Sequence, residues 1–336
     1  MSTCGISARL IAETPLAVVD TETTGLYPGG DRVVEIAIVR TEPGEQPKLI
    51  LDTLVNPQRR VAATEIHGIT DADVADAPTF TDIAGVVLAA LGGSVFASYN
   101  VYFDSRFMRE ELRRAGVSRF PPYLCLMYLR PMLGLGRKCG LSDACNESGV
   151  THSACHHAAG DALAAAELWK QYLHVCEREQ IRTFADLAQL KSYKFMSSFN
   201  DPLFDGAPSV PAGRAPVMKP RTVAVGPAGT KTSRDASGRQ VVISAYWDAL
   251  TAAIADLDFT PHEVFYLKAK QSALGLHPDE LRWLHARAFS GVLADMCQDK
   301  AFTADEARSL SGLTVALREL GWAPGDEPLT SFVAIS

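Results

Sequence analysis

Apolar positions follow two different rhythms in the two halves of the chain. LAVVD (Leu16 to Asp20), RVVEIAIVR (Arg32 to Arg40) and KLILDTLV (Lys48 to Val55) are short apolar runs separated by Gly and Pro, and they predict strands in succession. FTDIAGVVLAALGG (Phe80 to Gly93) has helical spacing and a Gly stop. SVFASYN reads as a strand, and FDSRFMREELRRAG (Phe103 to Gly116) as a helix with a charged outer face. A further apolar stretch, YLCLMYL (Tyr123 to Leu129), precedes LSDACNESG, and HHAAGDALAAAELWKQYLHVCE (His156 to Glu177) reads as a long Ala-rich helix. Strands first, then strands alternating with helices, predict an α/β domain over residues 10–200: a mixed sheet with helices packed against it.

The rhythm is lost from about Gly206 to Gln240. Pro208, Pro211, Pro216, Pro220 and Pro227 stand among small polar residues, and Arg214, Lys219, Arg221, Lys231, Arg234 and Arg239 face only Asp235. Such a stretch has too little apolar surface to order itself, so a flexible basic linker is expected at 206–240. From Val241 to the C-terminus helical spacing returns, with no convincing strand before the last few residues, and a small all-α domain is expected at 241–336. It contains an internal echo. Asp256, Phe259, Thr260 and Glu263 recur at one constant offset as Asp299, Phe302, Thr303 and Glu306, and each copy places Thr-x-x-Glu before an apolar run, the signature of a capping box.

Composition narrows the class. The 336 residues are 47% hydrophobic and 21% charged, the profile of a globular protein with a sizeable core. A net charge of −7 argues against a broad duplex-binding surface, which needs many cations on phosphates, but not against an enzyme that grips one strand end. The seven cysteines show no CxxC, no leader-like start is visible, and no run approaches a membrane span, so a cytoplasmic protein with reduced thiols is expected. Cys139, Cys145, His152, Cys155, His156 and His157 cluster in sequence, but their spacing fits no common structural zinc pattern.

The chemistry concentrates in VVDTETTGL (Val18 to Leu26). Asp20 and Glu22, at i and i+2, project from one side of a strand. Two adjacent anions on an otherwise apolar strand are costly unless a cation lies between them, which points to a divalent metal site. Asp104, in SYNVYFDSRF, falls at a strand-to-helix junction, and Asp161 opens the Ala-rich helix with His156 just before it. The ordered set D-x-E-T-T-G, N-x-x-F-D and H-x-A-x-x-D resembles the DEDDh 3′→5′ exonuclease family, the group of the polymerase III epsilon subunit and RNase T, over roughly Leu16 to Glu177.

That resemblance implies an RNase H-like fold and a set of roles. Asp20, Glu22 and Asp161 would hold a metal near the attacking water, with Asp20 shared with a second ion that Asp104 supports; Mg²⁺ or Mn²⁺ is the expected pair. His156 would take the proton, a role that suits its ordinary pKa. Leu26 resembles the family's wedge between terminal bases, backbone at Thr23 would receive the 3′ hydroxyl, and His67, Asn100 and Phe103 would line the substrate entrance. Tyr99 stands where relatives often have His, outside the metal ligands. A core role for Leu26 and a structural role for His67 remain the alternatives.

The expected activity is 3′→5′ removal of nucleotides from single-stranded or frayed DNA. An RNA 3′ exonuclease is the alternative, because the chemistry is shared and the 2′-hydroxyl decides; a nucleic-acid-binding adaptor without activity is a third reading. The C-terminal region is similar to TerB-like helical domains, which implies a protein partner there. Calcium binding at Asp256, Asp258 and Glu263 is the less economical account, since Asp299 to Glu306 lacks the length and the central Gly of an EF-hand loop.

Overall fold

A computed structural model describes residues 5–152, 156–205, 218–221, 231–297 and 303–325. Its centre is a mixed sheet of β1 (Leu16–Thr23), β2 (Val33–Thr41), β3 (Lys48–Leu54), β4 (Val95–Ser98) and β5 (Tyr123–Cys125) in the order β3-β2-β1-β4-β5. β1 pairs antiparallel with β2 and parallel with β4, so the strand bearing Asp20 and Glu22 lies in the middle. β2–β3 is antiparallel and β4–β5 parallel. The sheet has the mixed form of the RNase H-like exonuclease fold.

The helices of this half are α1 (Thr64–His67), α2 (Asp71–Val74), α3 (Phe80–Leu91), α4 (Val101–Arg114), α5 (Leu126–Met132), α6 (Leu141–Ser148), α7 (Ala158–Arg178) and α8 (Phe184–Leu190). α7 packs across β1, β2 and β3. Its alanines at 158, 162, 165 and 166 are buried, and their small size lets the helix lie close to the sheet and bring its first turn to β1. The apolar run 123–129 divides: three residues extend the sheet and the rest begin α5. An apolar run of that length has no period that separates the two forms.

The C-terminal region is helical: α9 (Lys231–Ile254), α10 (Pro261–Leu274), α11 (Pro278–Met296) and α12 (Ala304–Glu319). Both expected capping boxes form, Thr260 with Glu263 and Thr303 with Glu306. Asp299 and Phe302 of the echo lie outside the described residues, as do the last few residues of the chain. Buried Tyr246, Leu250, Leu284 and Leu317 continue the core of the sheet, so the helices sit against the α/β part. No helix among the described residues is long and apolar enough to cross a membrane.

The expectation of a flexible tether at 206–240 needs correction where the chain is described. Residues 231–240 are already the first turns of α9. Further back, Lys219 accepts from Leu54 N–H (2.8 Å) and donates its own N–H to Thr53 Oγ1 (2.9 Å), adding to the edge of β3. Pro-rich composition does not prevent docking on an open strand edge, because the edge supplies the hydrogen bonds that the segment cannot make internally. Residues 206–217 and 222–230 lie outside the described residues.

Candidate active site

β1 presents Asp20 and Glu22 at its C-terminal end, where the register against β2 shifts between Glu22 and Thr23. Asp104 stands in the first turn of α4, directly after β4, and Asp161 in the first turn of α7. Helix N-termini carry unpaired N–H groups and positive potential, which favours carboxylates at both places. One pocket is lined by Asp20, Glu22, Asp104, His156 and Asp161, and by Thr23, Leu26, His67, Asn100 and Phe103. Every site residue expected from the sequence faces that pocket.

Glu22, Asp104 and Asp161 are buried, Asp20 is partly so, and the four are crowded. Glu22, His156 and Asp161 each offer a ligand atom, and these atoms lie within 4.8 Å of one another. Burial first, and then the charges of Asp161, Asp104, Glu22 and Asp248, raises the Asp20 carboxyl well above its usual range. Glu22 is raised too, by burial first and then by the charges of Asp161 and Glu35. Burial lifts Asp104 to about 6 although Ser98 and Thr21 donate to it, Thr21 Oγ1 at 2.8 Å. Oxygen donors and one imidazole, held close at this cost, suit a hard divalent cation. Nε2 of His156 is buried without a hydrogen-bond partner among the described residues, as a group awaiting a water or ligand would be.

His156 has φ 58°, the left-handed region that residues with a side chain seldom adopt. The position is clamped from both sides: its N–H donates to Asp161 Oδ2 (3.1 Å) and its carbonyl accepts from Arg221 Nη1 (2.8 Å). Sequence reasoning placed Arg221 in a solvated linker and missed this. It also missed His152, whose Nε2 lies 2.5 Å from Asp161 Oδ1, and Ser98 and Thr21. No local signal could have found them, since each acts on a residue distant in sequence or across a turn. Asp248, Trp247 and Arg287 of the helical region line the pocket as well.

His67 faces the pocket, but both ring nitrogens are engaged by backbone: Nδ1 accepts from Ile69 N–H (3.0 Å) and Nε2 donates to Ala62 O (3.1 Å). Its ring therefore shapes the wall and is held neutral; burial pushes its pKa down to about 3. The unfolded chain takes up a proton near pH 6.5, whereas the folded one does so only near 3. Stability is therefore expected to fall as pH drops from about 6.5 towards 3. Urea midpoints at pH 7 and pH 4.5 should show a steeper acid loss in the parent than in His67→Gln, and equal slopes would remove the claim.

The calcium and zinc alternatives find no support in the geometry. Asp256 receives Tyr128 Oη (2.8 Å) and Lys138 Nζ (2.9 Å), while Glu263 caps its helix and meets Lys138 (2.8 Å). Cys139 and Cys145 are buried in the core, and Cys155 lies outside the described residues.

Residues 17–169 match the family model described as RNase_T, Exonuclease. The "DNA polymerase III subunit epsilon-like protein" of Rhodobacter capsulatus is 36% identical over 186 residues, 52% of this chain and 26% of that protein. The "3'-5' exonuclease DinG" of Bacillus subtilis is 33% identical over 102 residues, 30% of this chain and 11% of that protein. The chain thus spans about a quarter or less of the curated relatives it matches. Among solved structures, E. coli Exonuclease I in complex with a dA16 oligonucleotide aligns with a TM-score of 0.40 at 17% identity, over 50% of this chain and 43% of that one. The matched stretch, residues 17–169, contains Asp20, Glu22, Asp104, His156 and Asp161, and it is an exonuclease-type domain.

Proposed function

We propose that this protein is a metal-dependent 3′→5′ exonuclease acting on single-stranded or frayed DNA ends, with Mg²⁺ or Mn²⁺ as its cations. The observation that carries the reading is the convergence of Asp20, Glu22, Asp104, Asp161 and His156 on one pocket. Asp20, Glu22, Asp104 and Asp161 would hold the cations beside the attacking water. When bound, the ions lower the pKa of water and offset charge on the phosphate oxygens.

The chain's own residues do the rest. His156 accepts the proton of the water whose oxygen bonds to phosphorus, while the bond from phosphorus to the preceding 3′ oxygen breaks and a nucleoside monophosphate leaves. His152 and the His156 N–H hold Asp161, and Thr21 and Ser98 hold Asp104, so each carboxylate enters the reaction already oriented. Leu26 and Phe103 offer apolar surface to the terminal bases, and the buried, unpartnered Asn100 Oδ1 is an acceptor for a sugar hydroxyl. DNA is favoured over RNA by the polymerase-related name of the relative above. The TerB-like reading of the helical region, with a protein partner, stands beside this as a proposal of its own.

The test uses 5′-labelled DNA and RNA oligomers of one sequence, with Mn²⁺ or Mg²⁺ and with chelator, beside His156→Ala. A ladder shortening from the 3′ end, dependent on metal and lost in the variant, is expected, faster on DNA. Cleavage that survives chelation, or proceeds equally in His156→Ala, would overturn the mechanism, and a faster RNA ladder would overturn the substrate.

A further inference from the structure

Helices α9 and α11 form the outer wall of the exonuclease pocket. Trp247, Asp248, Thr251 and Arg287 line it together with Asp20, Glu22 and His156. A second pocket continues outward between Leu26, Phe103 and Arg106 on one side and Thr251, Ile254 and Gly291 on the other. Any strand that brings its terminal nucleotide to the carboxylates along Leu26 and Phe103 must pass through this space.

Three contacts close it. Gly291 lies so near Leu26 that a Cβ placed on it would stand 2.5 Å from the Leu26 Cβ. That is helix backbone, not a flexible tip, so no rotamer change frees Leu26 while α11 stays where it is. Arg287 Nη2 donates to the Thr24 carbonyl (2.7 Å), which ties α11 to the end of the Asp-x-Glu motif. Asp248 sets Oδ1 3.6 Å from Nε2 of His156, an anion beside the base where a substrate phosphate would also bring negative charge.

We infer that the α9–α11 region is an autoinhibitory cap, which occupies the path of a single-stranded 3′ end and places Asp248 where it repels the incoming phosphate. The inference rests on the exonuclease reading of the pocket. The closed arrangement is the resting one, because Tyr246 and Leu250 of α9 belong to the same buried core as the sheet. Its rim is held by charge: Lys138 with Asp256 and Glu263, Lys270 with Asp143 (2.6 Å), and Arg106 with Asp295. Of these, Arg106–Asp295 is the exposed pair that salt weakens, so opening begins at that edge when a strand competes for the groove.

The test keeps the full chain. Gly291→Leu forces side chain into the space held by Leu26, and since Leu favours a helix more than Gly, α11 itself is not weakened. Lys270→Asp sets like charges against Asp143, and the swap Asp143→Lys with Lys270→Asp restores the pair. If the open form is a minor population, single variants that favour it should raise both cleavage and oligonucleotide affinity by roughly tenfold, and the swap should return both towards the parent. Binding is read by fluorescence anisotropy of a labelled single-stranded DNA oligomer with Ca²⁺ in place of Mn²⁺. Amide hydrogen exchange in α9 is expected to rise when the oligomer binds.

Folded variants that cleave and bind no better than the parent, or an oligomer that protects α9 from exchange, would overturn the cap and make these helices a wall of the working site. Tighter binding and faster α9 exchange without cleavage in any variant would sustain the cap, and the exonuclease reading alone would fall.

Discussion

Asp20→Asn is expected to reduce exonuclease activity by roughly a thousandfold or more, on the order of 4 kcal/mol of barrier. The same change should raise thermal stability in the presence of chelator. Asp20 stands on the central strand, and the charges that raise its carboxyl most are the anions Asp161, Asp104, Glu22 and Asp248. Without a cation that crowding opposes folding, and an amide of the same shape removes one charge from it. A gain near 1 kcal/mol would appear as a rise of about 1–2 °C for a chain of this size. Single-turnover cleavage with Mn²⁺ and a thermal melt with chelator read the two effects on one sample. Retained activity would remove Asp20 from the catalytic set, whereas a lower melting temperature would mean that its carboxylate holds the fold together.

The second large effect is structural. Glu111→Ala is expected to destabilise the protein by about 3 kcal/mol, because breaking a buried ion pair strands the remaining partner. Glu111 is 1% exposed on α4 and takes both Nε (2.7 Å) and Nη2 (2.9 Å) of Arg32, together with the Val33 N–H (3.2 Å) at the start of β2. Truncation leaves a half-buried guanidinium and a backbone donor unpaired at once. α4 also carries Asp104, so activity should fall along with stability. Urea denaturation measures the first, and a loss under about 1 kcal/mol would show that water replaces the carboxylate at little cost. Glu111→Gln, which can keep part of the bonding, should lie between the two.

Glu111 also illustrates a limit of the sequence. In REELRRAG it reads as one more charge on a solvated helix face, and it is buried only because β2 begins beside α4 with Arg32 pointing inward. His67 is similar: its motif suggested a substrate contact, and the backbone of its own loop turns out to hold both nitrogens. Arg221 sat in a stretch whose composition predicts a solvated tether, yet its guanidinium reaches the carbonyls of both His67 and His156. In each case the deciding partner is far along the chain or is main chain, and neither leaves a mark in residue type or spacing.

What the sequence by itself determined was local and periodic. Strand and helix rhythms follow from a repeat of two or of 3.6 residues, and capping boxes from residues three apart, so β1 to β4, α3, α4, α7 and the capped helices of the C-terminal region were legible. The Asp-x-Glu pair was legible too, because its strand is otherwise apolar and is followed at once by Thr-Thr-Gly-Leu. Only the tertiary structure decided that five chemical groups from β1, α4, α7 and the turn before α7 share a pocket, how His152, Thr21 and Ser98 orient them, and that the helical region lies across the entrance. Those are contacts between surfaces that meet after the chain has folded. Their energy depends on shape and distance, and a one-dimensional pattern contains neither.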